Sequence, residues 1–516
     1  MRQFSFSNPV CHLLLALGIA LAGSIANTNA AAAKTSAAAA DKRPVVMVPG
    51  LLGSKLCRKT DSGDEEIVWG TVGAITEFPA LALGSAPGEV YPCGLIREIS
   101  YLGVYSQAVY SGFVERLESD GYVEGKTLFL FDYDWRLSVF DNARKLAEFV
   151  DENVPEDRKI DIVAHSMGGL IARIYALEEG GTDRIAQLMS AGAPLRGSVE
   201  VFDQIENGWG LANVFMGGLE TFRRTVLTFP STFDLTPRYA GSYAHAAAAG
   251  SEFDPNDLKT WVALNWTGVN EESLPDPEAV RERQMRLRQI LERPLPAGIE
   301  EAIIIGVDQR TPEQYALDFE AEEAELLIKT SWNGDGVVIR DSAMLDGRHV
   351  FRTSFATHQG ILNESSAQDF VVAALAHGPQ EALHRVPVRE RTSILTSLGD
   401  FVSLVGVSLQ PEQPIFRTGQ QAKALLHIRP DTMAAVDAGR IHLTLARPGE
   451  APIPLRLERD ESASDPTNPY EQSFSASFDT GIRPGKLVLT ATIEGRDGKP
   501  REAIATVPVI AKRQSR

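Results

Sequence analysis

Six residues, Ala164-His165-Ser166-Met167-Gly168-Gly169, combine the types that nucleophilic attack on an acyl carbon requires. They follow an apolar run over 160–163 and precede a helical pattern over 170–177, so the serine falls at a strand-to-helix turn. Such a turn is sharp and its neighbours must be small. Gly168 meets that need, as does Ala164, which stands where the usual G-x-S-x-G pattern has its first glycine. The hydroxyl of Ser166 then sits at a helix N-terminus, whose dipole favours developing negative charge. A structural buried serine is the competing explanation, and the placement between strand and helix argues against it.

A nucleophile of this kind needs an acid and a base later in the chain, in the order Ser, Asp or Glu, His. Nine histidines are present. His12 lies in the leader, His165 in the elbow, and His427 and His442 in the C-terminal region. Of His245, His349, His358, His377 and His384, His358 has the best setting, in the polar loop Ala356-Thr357-His358-Gln359-Gly360 just before a helix over 366–376. His377 ends that helix beside Gly378, where capping explains it, and His349 is the rival base at the start of a strand.

The acid must fall between nucleophile and base. Asp335 lies in Asn333-Gly334-Asp335-Gly336, where glycines on both sides let its carboxylate turn back toward the histidine; an ordinary Asp-Gly turn is the alternative. Asp308 and Asp341 lack that frame. Two backbone amides should receive the oxyanion: that of Met167, and that of Leu51 in Pro49-Gly50-Leu51-Leu52-Gly53-Ser54, after the first core strand. One such donor is worth about 3–4 kcal/mol of transition-state stabilisation.

The elements that must hold these residues alternate. Apolar runs at 45–48, 128–131, 160–164, 185–189 and 303–307 are separated by helical stretches such as 143–150 and 170–177. Continuous apolar strands between helices predict a mostly parallel sheet covered on both faces, an α/β domain over 44–390. Residues 199–299 interrupt the alternation with aromatic, Gly and Pro residues and a charged helix at 277–291, as expected of a cap. After about 395 the period becomes two, as in Ala422/Ala424/Leu426/Ile428 and Phe474/Ala476/Phe478. This predicts an antiparallel, Ig-like β-sandwich over 395–516 with roughly seven strands. It carries no catalytic cluster and reads as a binding or stabilising module for an unknown ligand.

The chain has 516 residues, 44% hydrophobic, with a net charge of -18, which suits two to four folded domains and excludes disorder over most of its length. No Lys/Arg cluster offers a nucleic-acid footprint. Residues 1–30 read as a signal peptide, with Arg2 before an apolar run at 13–22 too short to span a membrane, and 31–43 as an Ala-rich leader. Export is therefore expected, an uncleaved anchor being the alternative. Removing the leader takes Cys11 and leaves Cys57 and Cys93 of the three cysteines. In an oxidising compartment that pair invites a disulfide, worth about 3–4 kcal/mol on the chain-entropy model; two free thiols are the alternative. No Cys/His spacing resembles a zinc site, and no metal or cofactor is implied.

Together these motifs resemble the lecithin:cholesterol acyltransferase family, which includes phospholipid:diacylglycerol acyltransferases and a lysosomal phospholipase. VVMVPGLLGSKL from Val45 resembles its opening strand and oxyanion loop, and Asp132-Tyr133-Asp134-Trp135-Arg136 its Tyr-Asp-Trp-Arg signature. Cys57, Trp69 and Cys93 resemble a disulfide-closed lid with its tryptophan, here 54–95. Thr228-Phe229-Pro230-Ser231 in the cap, Thr311-Pro312, Asp335 and His358 continue the match, which covers about 44–380. The resemblance implies an α/β-hydrolase fold, a Ser166-Asp335-His358 triad and a lipid ester substrate met at a membrane surface. The acyl group would pass to water or to an alcohol or sterol acceptor. The C-terminal sandwich lies outside the family's pattern. Two other readings stay open: an esterase or thioesterase on a non-lipid substrate, and an inactive hydrolase body with a binding sandwich. Trp69, Phe78, Leu81 and Leu83 divide evenly between lipid contact and packing under the lid, whereas Phe215 and Met216 read as core.

Overall fold

The computed structural model describes residues 42–386 apart from 61, 85–88, 102–104, 210–211, 244–257, 264–273, 319–324, 346–347 and 355, and residues 407–510 apart from 413–415, 429–440, 461–471 and 495–499. The expected signal peptide, nearly all of the Ala-rich leader, and His245 lie outside the described residues.

Val45–Val48 (β1) is apolar at every position and buried at every position. The same holds for most of Leu128–Leu130 (β2), Ile160–His165 (β3), Ile185–Ala191 (β4) and Glu300–Val307 (β5), whereas the edge strand His349–Ser354 (β6) is more polar and only partly buried. They form one sheet in the order β2-β1-β3-β4-β5-β6, parallel at every pairing. Side chains alternate across it: Val46, Val48, Ile162 and Ile303 enter one core, and Val45, Met47, Val163 and Ile304 the other. With both faces covered there is no solvent side on which polar residues would recur, which is why the strands read as unbroken apolar runs.

Helices cover each face. Ser111–Ser119 (α1) and Ser365–His377 (α4) close one core through Phe113, Leu117, Phe370 and Val371. Val139–Asn153 (α2) and Met167–Glu178 (α3) close the other. Helix α2 buries Val139, Ala143, Leu146 and Val150, spaced three and four apart, and the Ser138 hydroxyl caps its first turn by accepting from the Asp141 amide at 3.1 Å. This is the α/β domain that the alternation predicts, with the α/β-hydrolase fold that the family resemblance implies. Among the described residues no helix is long and apolar enough to cross a membrane.

Three insertions surround the sheet's carboxyl edge. Between β1 and β2, Ser54–Lys59 pairs antiparallel with Glu65–Trp69 on one side and Val90–Leu95 on the other, followed within the loop by the 3-10 helix Gly73–Leu81. A disulfide joins Cys57 to Cys93, with Cα atoms 5.8 Å apart. Between β4 and β5 come the helices Glu200–Asn207, Ala212–Phe215, Leu219–Val226, Pro230–Asp234, Leu258–Ala263 and Pro277–Glu292. The first two insertions share an aromatic cluster: Phe78 stacks on Phe222 with ring centres 5.4 Å apart and lies 5.5 Å from Trp209. Phe78 and Leu81 are thus fully buried packing residues. Met216 is core as expected, but Phe215 is 61% exposed, because its short helix turns that side chain outward.

The third insertion lies between β5 and β6. Gln309–Asp318 and Glu325–Gly334 form a two-stranded antiparallel sheet with register shifts on either side of Thr311 and Pro312. A proline cannot donate to a ladder, and an irregularity is where one is tolerated.

The C-terminal strands form a four-stranded and a five-stranded sheet. Alternate residues of each, among them Leu426, Phe474, Leu443 and Leu489, meet in a single apolar core between them, as a sandwich requires. Among the described residues pairing is antiparallel with one exception, Phe416–Arg417, which runs parallel to Val509 and Ile510. That pair is too short to show an alternation, so its direction is set by chain path. The Lys329 ammonium of the third insertion donates to the Glu412 carbonyl at 3.1 Å.

Candidate active site

Strand β3 ends at His165 and helix α3 begins at Met167, so Ser166 alone makes the turn, with φ 53° and ψ -127°. A non-glycine residue held there costs on the order of 1–3 kcal/mol, which the surrounding packing must offset. Close approach of backbone does this. A side chain at Gly168 would place a carbon 2.6 Å from the Val48 carbonyl oxygen, so α3 rests on β1 only because residue 168 has none. One at Gly50 would lie 2.8 Å from Ser166 Cβ, which puts the backbone of the 49–53 loop directly against the serine.

His358 reaches Ser166 from the loop between β6 and α4. Its Nε2 lies 2.8 Å from Ser166 Oγ and its Nδ1 2.8 Å from Asp335 Oδ2. Asp335 directly follows the strand Glu325–Gly334, and its Oδ1 accepts from the amides of Val337 at 3.0 Å and Val338 at 2.8 Å. The His358 amide donates to the Asp335 carbonyl at 2.8 Å, tying the two loops together. A carboxylate can only accept, so Nδ1 carries the proton and Nε2 is free to accept from the serine. Ser166 is 7% exposed, Asp335 2% and His358 9%, so the chain is shielded throughout and most deeply at the aspartate. Such an arrangement can move a proton from Oγ to Nε2 as the oxygen attacks.

The rival residues lie elsewhere. His349 begins β6 opposite Ala302, at the far edge of the sheet from Ser166. His377 Nε2 contacts Arg385 at 3.3 Å on the surface, Asp308 faces Arg352 at 3.8 Å, and exposed Asp341 bonds Arg340. Met167 N–H opens α3, where first-turn amides have no intrahelical acceptor. Leu51 follows Gly50 in the loop pressed on the serine. Trp69, half-buried, donates from Nε1 to the Leu52 carbonyl at 3.0 Å and packs edge-on against Trp135 at 5.5 Å.

The 132–136 motif explains how the surroundings hold shape. Asp134 accepts from Arg136 Nε at 2.9 Å and Nη2 at 2.7 Å, a buried forked pair. Arg136 Nη1 then donates to the Leu81 carbonyl at 3.0 Å, and the Gly94 amide donates to Asp132 at 2.6 Å, so the interior and the far end of the 54–95 insertion are pinned. Trp135 Nε1 and the Tyr133 amide donate to the carbonyl and hydroxyl of Ser54 at 3.2 and 3.1 Å. The sequence marks this motif only as a signature. It also gives no role to His165, which is buried and, with its pKa pushed down to about 3 by that burial and then by His358, stays neutral.

A parallel sheet bearing a serine elbow at a strand's carboxyl end defines an enzyme of the α/β-hydrolase type. The family description that matches the chain, over residues 91–254, is lecithin:cholesterol acyltransferase. Lecithin-cholesterol acyltransferase-like 4 of Arabidopsis thaliana is 25% identical over 62% of this chain and 73% of its own. The phosphatidylcholine-sterol acyltransferase of Mus musculus is 24% identical over 64% of this chain and 82% of its own. Phospholipase A(1) LCAT3 of Arabidopsis thaliana is 23% identical over 66% and 92%. These matches bear out the family resemblance and support an acyltransferase or a lipase/phospholipase.

Proposed function

We propose that the chain is an exported, serine-dependent lipid acyl hydrolase or O-acyltransferase that works through Ser166, His358 and Asp335 and an acyl-enzyme intermediate. The observation that carries this reading is the unbroken chain of 2.8 Å contacts from Ser166 Oγ through His358 to Asp335 Oδ2. His358 Nε2 takes the Ser166 proton as Oγ attacks the ester carbonyl, and Asp335 stabilises the imidazolium that forms. The amides of Leu51 and Met167 receive the oxyanion. Collapse expels the alcohol, which leaves with the proton from Nε2. Water or an acceptor alcohol then gives its proton to Nε2 as it attacks the acyl-serine, and collapse releases the fatty acid or new ester while Nε2 returns the proton to Oγ.

A lipid substrate is supported by the relatives, one named for phosphatidylcholine and a sterol and another as a phospholipase A(1). A membrane surface is where such an ester is met, and an alcohol or sterol is the acceptor where transfer occurs. Export is supported by the N-terminal pattern and by the Cys57–Cys93 disulfide, a bond of oxidising compartments. The C-terminal sandwich is proposed to be a stabilising or binding module.

The test offers the protein a phospholipid with a labelled acyl chain, together with a sterol and a long-chain alcohol, and Ser166→Ala as control. Label in a new ester establishes transfer, and label in free fatty acid alone establishes hydrolysis. Absence of any Ser166-dependent release from phospholipid, with short soluble esters cleaved instead, would overturn the lipid reading.

A further inference from the structure

The peptide group joining Pro49 to Gly50 is held at both ends. Its carbonyl accepts from the Tyr133 hydroxyl at 2.9 Å, and its N–H donates to the Tyr110 hydroxyl oxygen at 2.9 Å. The next peptide group, which bears Leu51 N–H, is held in turn at its Gly50 carbonyl, which accepts from the Gly53 amide at 3.0 Å, so with both groups fixed the direction of Leu51 N–H is set. Gly50 itself lies against Ser166 with no room for a side chain.

Tyr110 has a second partner, His165 Nδ1 at 2.8 Å, and His165 Nε2 lies 2.8 Å from the His358 carbonyl. The direction of these bonds follows from chemistry alone. A carbonyl accepts only, so Nε2 carries the imidazole's proton and Nδ1 is bare. Tyr110 must therefore donate to Nδ1 while accepting from Gly50. All three groups are buried, and burial keeps the imidazole neutral and the phenol protonated, as this direction requires.

We propose that Tyr110 and His165 are positioning residues: a buried relay that locks the loop bearing Leu51 to the loop bearing His358, on either side of Ser166. It rests on the reading of Ser166 and His358 given above. The relay passes through the residue directly before the nucleophile, so oxyanion donors, nucleophile and base are held in one register. Removing the Tyr110 hydroxyl leaves the ring in place but frees the Gly50 amide and His165 Nδ1. The loop then samples orientations in which Leu51 N–H misses the oxyanion, a loss felt in the transition state and not in substrate binding.

The test uses the full chain with Ser166→Ala, Tyr110→Phe, His165→Gln and the double variant of the last two. Turnover is read on p-nitrophenyl octanoate, and folded active centres are counted by an alkyl fluorophosphonate that labels serine nucleophiles. For Tyr110→Phe the expected result is a fall in kcat of about 10- to 100-fold, smaller than deletion of an oxyanion donor, with KM within about twofold. The labelling rate should fall by a similar factor while the final labelled fraction stays near that of the unsubstituted protein. The double variant should be no worse than its worse parent by more than about threefold, because both break one chain. A normal kcat per labelled centre in Tyr110→Phe, or effects that multiply in the double variant, would overturn the relay. His165→Gln, whose amide still offers a donor to the His358 carbonyl, supplies the same kcat-against-KM readout if Tyr110→Phe does not fold. Turnover surviving in Ser166→Ala would instead sink the underlying reading, whatever the tyrosine does.

Discussion

The α/β body and the C-terminal sandwich bury different things. Inside the body lie Arg173 paired with Glu301, Asp234 with Arg283, Asp161 with Arg43, and Asp335 with His358. The sandwich core is built from Leu426, Ile428, Leu443, Phe474, Leu489 and their apolar neighbours, and among the described residues of that region the buried polar ones are Gln472, Ser473 and Thr480. Taking a charge out of water is costly unless a partner and hydrogen bonds satisfy it, so its concentration in one part of a chain needs a reason. Here Asp335 and His358 serve the elbow itself, while the other pairs join separate elements: Asp161 and Glu301 stand near the starts of β3 and β5, at the opposite end of the sheet from Ser166, and Asp234 meets Arg283 between two cap helices. The sandwich has no such task and packs as apolar surface allows.

The largest effect expected from this contrast is at the serine. Ser166→Ala should lower turnover by about 10⁴-fold or more while the melting temperature moves by no more than about 2 °C, because the substitution removes chemistry and leaves packing intact. A variant that instead melts like a core mutant would show that the elbow is structural. Arg173→Met comes next. It leaves Glu301 buried without its closest partner and should destabilise the body by about 3–5 kcal/mol in denaturant unfolding. Arg286→Ala, which breaks an exposed pair with Glu178, should cost below about 1 kcal/mol. Equal losses would mean the interior of the body is as wet as its surface. In the sandwich, Leu489→Ala should cost about 2–5 kcal/mol through the cavity it leaves, with kcat within about twofold of the unsubstituted protein. A matching fall in kcat would show that the sandwich supports the site.

How much of this was legible in the sequence depends on the range of the interaction. The sheet strands could be read because both faces are buried, and the elbow because its signal is confined to six adjacent residues. Ser166, Asp335 and His358 were nominated from chain order and local framing, and they meet in one hydrogen-bonded chain. Tyr110 could not be nominated. Nothing around Val109-Tyr110-Ser111 marks it, and its contact with His165 spans 55 residues and depends on the path of the first insertion. The sheet of Gln309–Asp318 and Glu325–Gly334 was obscured in the same way, its alternation broken by the register shifts around Pro312. Composition marks Phe78 and Phe215 alike as apolar, yet one is fully buried and the other exposed, because only the packing of two separate insertions distinguishes them.

The smallest effect tests the electrostatic side of the contrast. Glu200, in the first turn of its helix near His358, has its carboxyl raised to about 7, first by burial, against the hydrogen bond from Gln204 that lowers it. The folded chain therefore keeps this proton up to about pH 7, whereas the unfolded chain releases it near pH 4.5. Between those values the folded state binds more protons, so this group makes stability fall as pH rises. His165 works in the opposite sense. Its folded value near 3 lies below the ordinary 6.5, so its share of stability grows as pH rises through that window. Whole-protein pH curves mix the two, and a single substitution separates them. Glu200→Gln should raise stability by about 1–2 kcal/mol at pH 8, discounting for solvent screening, and by less than about 0.5 kcal/mol at pH 4.5. The gain should appear in the unfolding of the body and not in that of the sandwich, where among the described residues no comparable carboxyl lies in the apolar core. An equal gain at both pH values would mean that Glu200 is uncharged or well solvated throughout, and that the helix beside His358 carries no electrostatic strain.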